Sequence, residues 1–183
     1  MLDLATGTGD LALLAAAGGR TVIGLDITWR MLELAAAKRA GGSPRFVQGD
    51  MLALPFPASS FDVVTTGYGI RNVPDLAQAL DEIARVLRPG GHFLSLDFDR
   101  PVNRLVRGAY FAYLTAVGST LGLLLHGDPD TYRYIPQSLR TYPGSRQVGD
   151  MLKDRGFGPV VVLPILGGLL AIHSATKSVY GNR

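Results

Sequence analysis

Acidic residues recur in this chain at positions where they can meet a ligand. The opening stretch, MLDLATGTGDLA, places Asp3 before a Gly7-Thr8-Gly9 turn and Asp10 at the head of an alanine- and leucine-rich run. Gly7-x-Gly9-x-x-Ala12 fits the fingerprint that seats a dinucleotide pyrophosphate on a helix N-terminus. A carboxylate at Asp10 has the wrong charge for that task, and it reads as a helix N-terminal charge stabilised by the dipole rather than as a direct ligand. Asp26, Gly49-Asp50 and Asp97-Phe98-Asp99-Arg100 follow, with Gly67-Tyr-Gly-Ile-Arg71-Asn72 between the last two.

These residues need elements to position them. Asp3 to Ala5 read as the end of a strand and Asp10 to Ala17 as a helix. Thr21 to Asp26 is an almost wholly apolar run, the pattern of a strand buried on both faces. Thr28 suits the cap of a helix running to about Arg39. Arg45–Gln48 and Phe61–Thr66 read as strands. Leu76, Leu80, Ile83 and Leu87 recur at helical spacing after Pro74-Asp75, and Arg88-Pro-Gly-Gly91 ends that helix before a strand over His92–Phe98. A long helix follows over roughly Val102–Leu125, then a loop, a short helix over Ser145–Arg155, and two strands at Val160–Leu163 and Leu169–Lys177. The last two are joined too tightly for a crossover and must run antiparallel. Alternating strands and helices predict an α/β domain with a mostly parallel sheet. No repeat or linker divides residues 1–183, so one domain is expected.

A parallel sheet binds its ligand outside the carboxyl ends of its strands. Asp10, Asp26, Asp50 and the Asp97/Asp99 pair all fall at such ends. Acids along one rim repel phosphates. They suit a ligand with a ribose, an amino group and a positive charge, and S-adenosylmethionine (SAM) has all three. Asp26 at the end of strand two can accept both ribose hydroxyls, and Asp50 after strand three the adenine amino group. Gly7 and Gly9 let the backbone approach the methionine portion. Hydride transfer from a nicotinamide cofactor remains a distant alternative on the glycine loop alone.

Composition narrows the field. The 183 residues are 47% hydrophobic and only 18% charged, with a net charge of +3 and a mean hydropathy of +0.20. Scattered arginines at so small a charge argue against a nucleic-acid binder. The absence of cysteine rules out disulfides and thiolate metal sites. His92, His126 and His173 share no ligand spacing, so no metal is expected. Asp3 interrupts any N-terminal apolar run, and a cytoplasmic location is the expectation. Ala109–Leu125 is uncharged but falls short of the roughly 20 residues a membrane span needs. It reads as a buried helix or one that docks on a surface.

Asp3-x-Ala5-x-Gly7-x-Gly9, Asp26, Gly49-Asp50, Leu54-Pro-Phe56 and Phe61-Asp62 resemble the class I SAM-dependent methyltransferases. TGYGIRNVPD, RVLRPGGHFLSLDFDRP, YRYIPQSLRTYPG and ILGGLLAIH resemble, more narrowly, the family that methylates ubiquinone and menaquinone precursors. The resemblance runs from Met1 to about Lys177. It implies a Rossmann-like fold with a seven-stranded, mostly parallel sheet, an antiparallel C-terminal hairpin and helices on both faces. It implies a SAM cradle of Asp3, Ala5, Gly7, Thr8, Gly9, Asp26, Ile27, Met31, Asp50, Met51, Gly67 and Tyr68, with Thr8 against the methionine part. It implies catalytic roles for Arg71, Asn72, Asp97 and Tyr134, with Tyr132 and His173 as further candidates. The expected acceptor is a reduced polyprenyl quinone, met at the inner face of a membrane by a peripheral protein, monomeric or a homodimer.

Each of these residues also has a purely structural reading. Arg71 suits an ion pair, Asn72 a helix cap, Asp97 a partner for Arg100 or Arg104, the tyrosines loop packing, and His173 a satisfied core histidine. Family members carry helices before strand one that close over SAM; this sequence begins inside that strand, so those helices are expected to be missing. Ala5 stands where many methyltransferases have glycine. Methylation of another small molecule, or an inactive fold serving as a partner protein, are the alternatives to quinol methylation.

Overall fold

The computed structural model describes residues 1–38, 43–101, 103–128, 130, 132 and 134–179. Seven strands form one sheet: β1 (Leu2–Leu4), β2 (Ile23–Asp26), β3 (Arg45–Gln48), β4 (Phe61–Gly67), β5 (Leu87–Phe98), β6 (Phe157–Ile165) and β7 (Leu170–Lys177). The order across the sheet is β3-β2-β1-β4-β5-β7-β6. The first five are parallel, and β7 runs antiparallel to both β5 and β6. This is the expected architecture. The strand order reverses between β2 and β4 on either side of β1, which creates a crevice at the carboxyl ends of β1 and β4.

Helices α1 (Asp10–Ala17), α2 (Trp29–Lys38), α3 (Leu76–Val86), α4 (Arg104–His126), α5 (Tyr134–Thr141) and α6 (Ser145–Asp154) complete the fold. The Asp75 carboxylate caps α3 by accepting the Gln78 N–H, and Ala79, Leu80, Ile83 and Val86 form its buried face. That stripe meets Leu2, Leu4, Val64, Leu87 and Phe93 in the core. Asn103 caps α4 at the Leu105 and Val106 N–H groups, and Gly127 ends it in the left-handed conformation.

Three boundaries differ from the sequence reading. Strand β5 starts at Leu87, not His92: Arg88-Pro-Gly-Gly91 ends α3 but continues extended, with a register shift against β4. Strand β6 starts at Phe157 and keeps Pro159 and Pro164 within it. It is an edge strand, where a missing N–H breaks no ladder. The stretch read as a loop before Ser145 contains α5. Its Pro136 sits in the first turn, where no intrahelical N–H bond is needed, and Leu139 anchors it in the core. Arg39 and Val102, two expected helix boundaries, lie outside the described residues.

Candidate active site

The β1 end is built around two acids with different tasks. Asp3 is buried beneath the turn, and its two carboxylate oxygens accept the Thr6 and Thr65 hydroxyls at 2.6 and 2.7 Å. Burial pushes its carboxyl above the ordinary range, against the pull of those two hydroxyls. The carboxylate therefore ties β1 to β4 and supports the loop from below. Asp26 closes β2 and faces the same loop: Oδ2 accepts the Gly7 N–H at 2.8 Å, and Oδ1 the Thr28 N–H at 2.9 Å. Each oxygen keeps a lone pair for a ribose hydroxyl.

The glycines are there for space and for backbone. Gly7 has φ 55° and nothing within 4 Å of where a side chain would project. Gly9 has φ 79°, and a Cβ there would strike Ala35 and Phe46 at 2.9 Å, so α2 and β3 close directly onto the turn. Ala5 holds φ 49° without being glycine. Its methyl group fits, as the sequence suggested, but the left-handed backbone carries a strain that glycine would not. The Thr8 hydroxyl bonds to Asp10, which also pairs with Lys38 at 2.8 Å. Asp10 is thus the first residue of α1 and a surface ion-pair partner. Ile27 and Met31 are exposed beside Asp26, whereas Met51 is buried below. Asp50 is exposed and accepts the Leu52 N–H through one oxygen. Open space at Gly7, spare acceptor capacity on Asp26 and apolar walls at Ile27 and Met31 fit a nucleoside without a phosphate tether.

The β4 end holds the other half. Tyr68 sits at φ 58°, an outlier for a bulky residue. Its N–H donates to Leu96 O at 2.8 Å. Its carbonyl accepts Arg71 NH1 at 3.0 Å and Asn72 Nδ2 at 3.1 Å. Three bonds thus hold the peptides on either side of one strained residue. Arg71 and Asn72 lie in a 3₁₀ turn over Ile70–Asn72. The Arg71 guanidinium is buried and donates to Asp97 Oδ1 at 2.5 Å. It lies 4.9 Å from the Phe98 ring centroid, 5.9 Å from Tyr68 and 6.0 Å from Tyr134. Burial drives the Asp97 carboxyl upward, and Arg71 opposes it. Among the described residues, the only buried side-chain polar atoms without a hydrogen-bond partner are Arg71 Nε and Thr66 Oγ1. Both lie at this strand end.

The site residues expected from sequence therefore converge, with corrections. Asp97 pairs with Arg71 rather than with Arg100 or Arg104. Asn72 does not cap α3, since Asp75 does. Tyr134 joins Arg71, while Tyr132 lies against Gly118 of α4. His173 is fully buried: Ser145 O lies 2.8 Å from Nε2 and Ser95 Oγ 2.9 Å from Nδ1. A carbonyl accepts only, so Nε2 carries the proton and Nδ1 accepts from Ser95. Burial lowers its pKa below the ordinary histidine value. It is a structural residue, linking β7 to α6 and to Asp99, which accepts both the N–H and the hydroxyl of Ser145. Phe98, Thr66 and this Asp99–Ser145–His173 chain went unread in the sequence. Alternation along His92–Phe98 puts Phe98 on the face of Leu94 and Leu96, opposite Asp97.

A parallel sheet of this order with an acid-lined crevice defines a SAM-dependent methyltransferase. Solved structures agree on the fold. SAM-dependent methyltransferases from Mesorhizobium loti (TM-score 0.70, 18% identity, 96% of this chain and 89% of that one) and Thermotoga maritima (a possible histamine N-methyltransferase; 0.68, 19%, 97% and 81%) superpose on it. So does phosphoethanolamine N-methyltransferase 2 of Haemonchus contortus in complex with SAM (0.70, 18%, 97% and 48%). The chain belongs to the ubiE/COQ5 methyltransferase family, whose model matches residues 1–177. It is similar to the ubiquinone/menaquinone biosynthesis C-methyltransferases UbiE of Teredinibacter turnerae (37% identical; 97% of this chain, 74% of that one) and Azotobacter vinelandii (38%; 97% and 73%).

Proposed function

We propose that this chain transfers a methyl group from SAM to a ring carbon of a reduced polyprenyl quinone, a demethylmenaquinol or a ubiquinol precursor. The reading is carried by the buried Arg71–Asp97 pair, set under Phe98, Tyr68 and Tyr134 beside the cofactor crevice. The aromatic rings offer a flat apolar wall to a planar acceptor. SAM supplies a methyl group bound to a cationic sulfur. A quinol ring carbon becomes a strong enough nucleophile once the neighbouring hydroxyl loses its proton. Arg71 stays protonated and cannot take that proton. Its charge, held just beneath the aromatic wall, stabilises the phenolate that forms above it, and water carries the proton away. The new carbon–methyl bond forms as the sulfur–methyl bond breaks, and loss of the ring proton restores aromaticity. Asp97 orients the guanidinium, Asn72 and Arg71 together hold the Tyr68 peptide, and the Asp26 carboxylate holds the ribose. Thr8, Gly67 and Asp50 complete the cofactor contacts.

Among the described residues, no helix is long and apolar enough to cross a membrane. Helix α4 nevertheless exposes Leu105, Val106, Tyr113, Leu121, Leu123 and Leu124. This supports peripheral contact with the bilayer that holds a polyprenyl acceptor.

The test is transfer from methyl-labelled SAM to a short-tailed demethylmenaquinol kept reduced. Label should appear on the ring. It should fall ~100-fold or more in an Arg71→Met, Asp97→Asn double variant, the scale for loss of one preorganised charge stabiliser. No transfer with SAM binding intact would overturn the quinol reading in favour of another acceptor. No SAM binding would favour a non-catalytic partner role.

A further inference from the structure

A second cavity opens on the same rim, beyond the β5 edge of the crevice. Its volume is about 790 Å³, and it lies between the first turns of α4 and α6 and the β6–β7 hairpin. It shares no lining residue with the Asp26, Gly7 or Arg71 groups. Arg100, Arg107 and Arg146 reach it from three different elements. None of the three is in an ion pair among the described residues. Arg100 makes one long contact, 3.5 Å to Pro143 O. The carboxylate in the wall, Asp99, is already committed: it accepts the N–H groups of Arg100 and Ser145 and the Ser145 hydroxyl, and it is buried. Val106 and Val162 supply apolar wall.

Three guanidiniums held apart by separate backbones repel one another in an otherwise low-charge protein. Such a cluster is stabilised by a multivalent oxyanion, to which each arginine can donate two parallel hydrogen bonds. The mouth carries apolar residues as well: Leu105, next to Val106 in the chain, is 85% exposed, and Leu166, next to Gly167, is 68% exposed. We infer that the Arg100–Arg107–Arg146 cavity is a binding site for a phosphate or phosphoester group, separate from the methyl-transfer site and independent of which acceptor is methylated. A phospholipid headgroup and a soluble phosphoester share this chemistry.

The two sources separate in a paired measurement. One arm titrates the full chain with inorganic pyrophosphate by calorimetry. The other sediments it with phosphatidylcholine vesicles with and without phosphatidylglycerol. Saturable binding is expected in at least one arm, weakened ~10-fold or more by Arg107→Gln with Arg146→Gln, the scale for losing charge-assisted bonds. Neither side chain holds a hydrogen bond among the described residues, so the variant should melt as the wild type does. An Arg20→Gln, Arg45→Gln control removes the same charge elsewhere and should bind normally. Binding only to pyrophosphate assigns a soluble phosphoester; binding only to phosphatidylglycerol vesicles assigns a headgroup. Saturable binding in neither arm, or equal loss in the control, would overturn the site.

Discussion

Replacing Asp97 by asparagine isolates the energetics of the catalytic half of the site. The substitution keeps the shape but turns one carboxylate oxygen into an NH2 donor: Oδ1 accepts from Arg71 NH1 and the Phe98 N–H at 2.5 and 2.8 Å, and Oδ2 accepts from the Arg71 N–H at 3.2 Å. It removes the charge and leaves at least one of these donors unpaired, in a pair whose two side chains are each 2% exposed. Water cannot replace the lost partner. Breaking a buried pair from one side costs roughly 3–5 kcal/mol. In a domain of this size each kcal/mol moves Tm by about 2–4 °C, so a drop of about 6–20 °C is expected. Urea denaturation measures it as a lower midpoint at unchanged m-value. Removing both charges, Arg71→Met with Asp97→Asn, should recover ~1–3 kcal/mol of that loss, the coupling expected of groups in direct contact. A loss below about 1 kcal/mol in Asp97→Asn would match an exposed pair and refute the buried geometry. The double variant also keeps the methyl-transfer assay interpretable, because a folded protein without activity places Arg71 in the chemistry rather than in stability alone.

Asp26→Asn should weaken SAM about 10–100-fold by calorimetry, since one charge-assisted acceptor for the ribose is lost while the Gly7 N–H keeps a carbonyl partner. His173 is buried neutral and its pKa is lowered. The unfolded chain therefore takes up a proton first, and stability is lost as pH falls through the unfolded value near 6.5, by at most about 1.4 kcal/mol per pH unit. His173→Gln should flatten that slope in urea melts between pH 7 and 5; an unchanged slope would remove His173 as its source. Tyr68→Gly should be about 1 kcal/mol more stable than Tyr68→Ala, because only glycine adopts φ 58° freely. Equal melting of the two would mean that the peptide relaxes once the ring is gone.

The placement of Asp26 and Asp50 was legible because its logic is local. Strand periodicity puts Asp26 at the end of β2 and Asp50 just past the end of β3. The acceptor half was legible only in part. The motif around Arg71 marked it out, but Asp97 stands 26 residues away, and nothing local tells which arginine it meets. Arg100 and Arg104 are nearer in the chain and were the natural guesses. Parallel pairing of β4 with β5 decides the matter, bringing the two strand ends together. The partners of Asp3 were hidden for a related reason: its direction follows from the pleat, which turns the side chain under the loop toward Thr6 and Thr65. Helix α5 was hidden by Pro136, whose meaning depends on whether it falls in a first turn or an interior one.

The same geometry explains why the strained residue and the buried pair occur together. A tyrosine at φ 58° relaxes unless its peptide is held at both ends. The Leu96 carbonyl fixes its N–H, while Arg71 and Asn72 fix its carbonyl. Arg71 can hold that carbonyl only while its own position is fixed, and Asp97 fixes it. The chain of cause runs from Asp97 on β5, through Arg71, to the backbone at the end of β4. There the Tyr68 ring packs against Phe98, with 5.1 Å between centroids, and Gly67 leaves open space beside it. An ion pair that adds little net stability over apolar packing is therefore well used: it sets the direction of one peptide and one aromatic ring at the spot where the proposed reaction needs its two ligands held in line.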